Sequence, residues 1–206
     1  MPTLESQRSL RSDSEEWDAH YCQDVNTLPW SMRDARNLGV RYLRRWHTRQ
    51  HEGLVLLTGR HREWGDVVIK AAGPGGSYEN LRAQAARLGE LADLGLRVPQ
   101  VFGTVHDGYV MERIRGQRID AVKPTPHLTA RLEALAAFLR DKPTAYHGDL
   151  HGGNILVERT TGDLVCIDPI APGDPETCHA DDAYQLNLLA WSRGSITYTQ
   201  FLCNLY

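Results

Sequence analysis

Asp149 and Asn154 stand five residues apart in the run Tyr146-His147-Gly148-Asp149-Leu150-His151-Gly152-Gly153-Asn154. Asp168 follows a predicted hairpin of Ile155–Val157 with Leu164–Ile167. The order His-x-Asp-x-x-x-x-Asn, strand, turn, strand, Asp is long and asymmetric, and it brings three oxygen-bearing side chains to one spot. Such a set suits phosphoryl transfer. One carboxylate takes the proton of an acceptor hydroxyl, while a carboxamide and a second carboxylate hold Mg2+ against nucleotide phosphates. Taken singly, Asp149 reads as a capped turn carboxylate and His147 as a satisfied structural histidine; the spacing of the whole set favours chemistry. His147 keeps the structural role, fixing the loop through its ring nitrogens.

Phosphoryl transfer relies on positioning and charge neutralisation, so a cation is sought in the elements upstream. Lys70 closes the apolar run Val67-Val68-Ile69, where its ammonium would emerge from a strand beside the phosphates. Gly53–Gly59 and Asp66–Ala72 predict two strands around a polar turn at His61–Gly65. Ser77 is placed to cap a helix from Tyr78 to Leu94, with Leu81, Leu88 and Leu91 on one face and Gly95 at its end. Pro99–Val105 and Tyr109–Glu112 predict a second strand pair, and Gly116 marks a chain crossing. Helices are predicted over Leu128–Leu139 and Asp181–Trp191. Upstream, the spacing of Met32, Ala35, Leu38, Tyr42, Leu43 and Trp46 predicts a helix over Ser31–His47; the basic Arg41, Arg44, Arg45 and Arg49 read as a solvated helix face rather than an anion patch. Residues 1–16, rich in Ser, Arg and Glu, are expected to form a disordered tail.

With 206 residues, the chain makes one large domain or two small packed lobes. A hydrophobic fraction of 41% and a charged fraction of 24% describe a folded protein, not a disordered one. The net charge of -3 provides no basic field for nucleic acid. No stretch approaches the ~18 apolar residues of a membrane span, and the N-terminus lacks the apolar core of a secretory signal. Cys22, Cys166, Cys178 and Cys203 are scattered without a C-x-x-C pair, as expected of reduced thiols in a cytoplasmic protein. Asp174, Glu176, Asp181 and Asp182 read as helix-start carboxylates and a solvated loop, or as an attractor for a cationic substrate.

HGDLHGGNILV, the Ile167-Asp168-Pro169 segment, GLRVPQVFG at Gly95–Gly103 and YVMERIRG at Tyr109–Gly116 together resemble the aminoglycoside phosphotransferase family of small-molecule kinases. IDPIAPGDPE is most similar to its streptomycin/hydroxyurea kinase branch, and the resemblance covers about residues 53 to 192. It implies an α+β, bilobal protein-kinase-like fold, with a small antiparallel-sheet N-lobe and a mainly helical, shortened C-lobe. A polar extension would span 1–30, a nucleotide-binding lobe 31–114, and a lobe with the catalytic loop, metal site and acceptor side 115–206. The implied cofactors are ATP and Mg2+. Asp149 becomes the catalytic base, Asn154 and Asp168 the Mg2+ ligands, and Lys70 the partner of the α- and β-phosphates. Backbone groups of Glu112 and Ile114 would bond the adenine, with Met111 behind it. His151 stands where protein kinases carry a lysine, which implies a small hydroxylated acceptor such as an aminoglycoside-type antibiotic; the charge and the lack of an apolar span predict no nucleic-acid or membrane partner.

Three departures accompany the resemblance. No Gly-rich loop precedes Lys70, Gln84 falls where the family carries the lysine-pairing glutamate, and the sequence stops at Tyr206, about fifteen residues after Trp191. They leave a second reading open, a kinase-like nucleotide-binding module with impaired catalysis, beside kinases of a sugar, a glycated amine or a protein.

Overall fold

The computed structural model describes residues 30–49, 53–73, 76–170 and 174–194. The predicted tail and the thiols of Cys22 and Cys203 lie outside them, while Cys166 and Cys178 are buried. The chain begins with helix α1 (Trp30–Asn37) and strands β1 (Arg41–Arg49), β2 (Leu54–His61) and β3 (Gly65–Ala72). Helix α2 (Tyr78–Leu94) leads to β4 (Val101–Val105) and β5 (Gly108–Glu112). The rest comprises β6 (Gly116–Arg118), α3 (Pro126–Asp141), β7 (Ile155–Glu158), β8 (Leu164–Cys166) and α4 (Pro175–Ser192).

The helix predicted over Ser31–His47 is two elements. Gly39, at φ +89, lets the chain turn out of α1, and the amides of Gly39 and Val40 close back on the carbonyls of Arg36 and Ala35. This is a glycine-terminated helix end. From Arg41 the chain pairs antiparallel with β2, a tertiary contact that overrides the helical spacing. A short segment of sequence joins β1 to β2. Its sequence is Gln50-His51-Glu52-Gly53, with one glycine. The last helix starts at Pro175, six residues before the predicted Asp181, and β8 stops at Cys166, one residue short.

Five strands form one antiparallel sheet in the order β1-β2-β3-β5-β4, and β6-β7-β8 form a second. Strand alternation sorts the side chains of β3 and β5. Val67, Ile69 and Val110 pack with Met32 and Ala35 of α1 on one face. Val68, Tyr109 and Met111 turn to the other, against Leu81, Leu88 and Leu91 of α2. Full burial of a leucine side chain stabilises by about 1.5–3 kcal/mol, so packing of these three holds α2 more firmly than helix propensity does. Ser77 caps that helix by accepting from the Asn80 amide, and Gly95 ends it, both as predicted. The same core continues through Leu128, Leu132, Leu135 and Leu139 of α3 to Leu150, Ile155, Cys166 and Leu186. One apolar core thus runs from the first sheet to the second, and the polar site residues border it.

Candidate active site

Lys70 follows Ile69 and so points to the α2 face of the sheet, where it is 4% exposed. Burying an ammonium without a partner is costly, and Lys70 has one: its Nζ lies 2.8 Å from Asp168 Oδ1. The two residues are 98 positions apart, so the fold itself makes this pairing. Asp168 keeps 40% of its side chain exposed and sits at φ +59, a left-handed conformation that aspartate tolerates better than most residues.

Asn154 closes a short turn at the start of β7, and its carbonyl accepts from the Ile167 amide at 2.8 Å. That bond, with the Ile155–Cys166 register, sets Asn154 beside the residue preceding Asp168. The Asn154 carboxamide donates to Asp149 Oδ2 and to the Asp149 carbonyl, each at 2.9 Å. With its nitrogen so engaged, its oxygen is left for a hard cation. Asp149 is about half exposed, as a group meeting a substrate must be, and His151 Nε2 stands 3.8 Å from its carboxylate. The His151 Nδ1 accepts from the Gly153 amide. The structure therefore brings Lys70, Asp149, Asn154 and Asp168 to one place. Two hard oxygens, from Asn154 and Asp168, match the habit of Mg2+, which takes one or two protein ligands and completes its shell with phosphate and water.

The predicted adenine-binding segment follows β5. Met111 is buried on the α2 face, in the same core as Val68. The Glu112 amide donates to the Gln100 carbonyl at 2.8 Å and is not open to a base edge. Ile114 is half-buried, two residues beyond the end of β5. Arg97 grips the Glu112 carboxylate through two bonds of 2.8 Å and holds it below the ordinary glutamate range. The Arg97 carbonyl also accepts from the Cys166 amide, so one residue ties this segment to β8. The reading of the sequence did not single out Arg97.

Two expectations need correction. His147 is fully buried, and neither ring nitrogen makes a hydrogen bond of good geometry among the described residues, the Ile167 backbone lying only near enough for a weak polar contact. Desolvation pushes its pKa down to about 4, outweighing the opposing pull of the Ile167 backbone and the Asp168 charge. The ring stays neutral, and the strong anchor of the loop is the His147 backbone amide. The acceptor of that amide is Asp182, which is neither solvated nor a substrate attractor. It is 1% exposed and accepts from the backbone N–H groups of His147, Gly148 and Leu150. Burial raises its pKa against the pull of those donors. Its spacing on α4, four residues before the buried Leu186, is the signal that would have placed it on an inward face.

Gly148 is needed between these anchors. It sits at φ +83, and a Cβ there would meet Ile170 Cγ1 at 2.4 Å. From the other side Arg87 of α2, 5% exposed, donates to the carbonyls of Thr144 and Tyr146 and stacks over the Tyr146 ring at 4.0 Å. The loop bearing Asp149 is thus held from α4 and from α2. Gln84 lies on α2 with its Oε1 buried and unpartnered among the described residues.

The backbone is similar to that of the Rio2 kinase from Chaetomium thermophilum in an ADP/Mg2+-phosphoaspartate complex, with a TM-score of 0.63 and 15% identity over 85% of this chain and 64% of that one. Another structure of the same kinase matches with the same score and identity, over 85% of this chain and 66% of that one. This chain therefore spans slightly less than two thirds of the Rio2 chains. The PknI kinase domain of Mycobacterium tuberculosis matches with a TM-score of 0.50 and 18% identity, over 74% of this chain and 72% of that one. No protein-family model matches the sequence, and a search of curated proteins finds no match. At these identities the likeness shows the fold, which is α+β and protein-kinase-like, with an antiparallel sheet followed by a mainly helical part.

Proposed function

We propose that this kinase-like chain is an ATP- and Mg2+-dependent phosphotransferase that passes the γ-phosphate to a hydroxyl of a small molecule such as an aminoglycoside-type antibiotic. The observation that carries this reading is the meeting of Lys70, Asp149, Asn154 and Asp168 around one partly open spot. When bound, ATP supplies the phosphoryl group and Mg2+ neutralises its charge. Residues 31–114 then serve as the nucleotide-binding part, with Met111, Glu112 and Ile114 at the base and Lys70 at the phosphates. Residues 115–206 carry the catalytic loop, with Asn154 and Asp168 on the metal. Asp149 takes the proton of the acceptor hydroxyl; its bond from Asn154 keeps the carboxylate aimed. His151 beside it supports a small acceptor over a protein side chain.

The second reading, a nucleotide-binding module without turnover, is supported by Gln84, which offers Lys70 no charge from α2. ATP consumption measured against a panel of hydroxylated antibiotics and sugars separates the two. Turnover with one acceptor, lost in Asp149→Asn, is the expected result. Mg·ATP binding without turnover on any acceptor supports the silent module, and absence of Mg·ATP binding ends both readings. Among the described residues no helix is long and apolar enough to cross a membrane.

A further inference from the structure

Arg41 and Arg44 stand on β1, the outermost strand of the five-stranded sheet, and not on the solvated helix face that their spacing predicts. Arg41 lies directly opposite Arg60 of β2, and Arg60 opposite Asp66 of β3. Directly opposed residues share a face of a sheet. Asp66 alternates with Val67, so this row lies on the α2 face with Val68 and Lys70. Arg44 is opposite Thr58 and shares that face one row further along. Like charges directly opposed destabilise a strand pair, and Arg41 and Arg60 are both exposed. Asp66, the carboxylate of the row, is bonded by Arg115; that bond, with the charges of Arg113 and Arg60, holds it below the ordinary aspartate range. No acid lies opposite Arg41 or Arg44 in the β1–β2 register. Between these two arginines the strand bulges, with Tyr42 and Leu43 together opposing Gly59. Tyr42 takes φ +54 there and is 78% exposed. An aromatic residue in that conformation is strained, and so exposed a ring gains little from packing.

We propose that the outer edge of β1 receives an extended acidic peptide as an added strand, with alternate carboxylates meeting Arg41 and Arg44 on the α2 face. Asp66 is four residues from Lys70 along β3, about 13 Å at the rise of a strand. The arginines therefore lie away from the proposed phosphate position, and the edge and the nucleotide site stand or fall separately. Because β1 ends the sheet order, its outer backbone groups are those that a further strand can bond. The bulge takes up one residue, so Arg41 and Arg44 are spaced like residues two apart, about 7 Å. Alternate side chains of an incoming strand have the same spacing. An edge bearing arginines repels a second copy of itself and admits a strand of opposite charge. The net charge of -3 opposes a long polyanion such as a nucleic-acid strand, while a short acidic segment meets only the local arginines. The Tyr42 ring, displayed between them, gives the peptide an apolar contact at the same place.

The test is titration of the full chain, at low salt, with labelled peptides of about six residues, the length of a common strand. Glutamate and threonine alternate in one peptide and stand in two blocks in the other. Their charge is identical, so strand pairing alone prefers the alternating form. That form should bind about fivefold more tightly than the block form. Arg41→Gln and Arg44→Gln should each weaken it about threefold. The ligand-free unfolding temperature of Arg41→Gln should hold or rise, because the repulsion with Arg60 is gone. Tyr42→Gly should likewise hold or raise it, since glycine takes a positive φ without strain, yet bind the peptide less well. Failure of the alternating peptide to bind overturns the proposal. Equal affinity for both peptides reduces the edge to charge attraction and overturns the added strand, as does unchanged affinity in both arginine variants. A single-stranded oligonucleotide that binds more tightly than the alternating peptide gives the edge to another occupant and overturns it. So does a dimer of the parent that Arg41→Gln dissociates.

Discussion

Asp149 is the proposed base, and its surroundings separate that role from the fold. Asn154 donates to Asp149 through one carboxylate oxygen and the backbone carbonyl. An asparagine at 149 can present an oxygen to the same donor, so Asp149→Asn should leave the loop, the unfolding temperature and Mg·ATP affinity nearly unchanged. It cannot take a proton, and general-base contributions amount to about 100- to 10,000-fold in rate. Turnover on any acceptor that the parent phosphorylates should fall by that amount; a variant that keeps most of its turnover removes Asp149 from the role of base. His147 offers a different residue-scale test. Its pKa is about 4 when folded, below the ordinary value of about 6.5. A histidine with a depressed folded pKa is protonated first in the unfolded chain. Its neutral burial therefore costs nothing above pH 6.5, and stability is lost as pH falls from there toward 4. Between pH 7 and pH 5 the parent should lose about 2 kcal/mol through this residue alone. His147→Gln, which cannot titrate, should flatten that part of the profile. Denaturant melts of both proteins at the two pH values check it, and identical slopes would show that the ring is not neutral and buried in solution.

At the scale of elements, the loop bearing Asp149 is held by helices that follow and precede it. The Asp182 carboxylate on α4 satisfies three amides of a turn that has no ladder of its own. Asp182→Ala would leave those donors buried and empty, at about 1–3 kcal/mol each. We expect at least about 3 kcal/mol of destabilisation by chemical denaturation, and loss of turnover beyond what the lost stability explains. Asp182→Asn, with one acceptor oxygen, should fall between the two. An Asp182→Ala protein of parental stability would contradict the anchoring. This element also shows where the sequence could and could not be read. The hairpins around the site and helix Tyr78–Leu94 were legible because local signals agree there: alternating apolar runs, a serine cap and a terminal glycine. Asp182 and Arg87 were not legible as anchors, because each acts on chain 30 to 60 residues away and looks locally like an ordinary helix-surface charge. The helix expected over Ser31–His47 failed for a related reason. Helical spacing in Tyr42, Leu43 and Trp46 survives by coincidence in a segment whose partner strand, β2, decides its state. The one local warning was Asn37-Leu38-Gly39, a helix end.

At the scale of the whole molecule, the proposed ligand would join parts that the chain keeps separate. Lys70 belongs to the five-stranded sheet, while Asn154 and Asp168 flank the hairpin of the three-stranded one. The Lys70–Asp168 ion pair and the Arg97 contacts to Glu112 and the Cys166 amide are polar links across that divide. A ligand that engages both sides stabilises the folded state by mass action, about 2.7 kcal/mol at a hundred times its Kd. For a domain of this size that corresponds to a rise of roughly 5–10 °C in unfolding temperature. Asp168→Ala separates the two contributions. Without ligand it strips Lys70 of its partner, and since Asp168 is 40% exposed the cost should be about 1–2 kcal/mol, less than for a fully buried pair. With ligand, the variant presents only the neutral Asn154 oxygen to Mg2+, a poor substitute for a carboxylate toward a hard cation. The additional stabilisation that Mg2+ gives with ATP over ATP alone should then vanish, while the smaller effect of ATP alone persists through Lys70 and the segment after β5. Thermal scans of parent and variant with buffer, ATP, Mg2+ and both give the four values needed. A variant in which Mg2+ still adds its full increment would take Asp168 out of the metal site and leave Lys70 as its sole function.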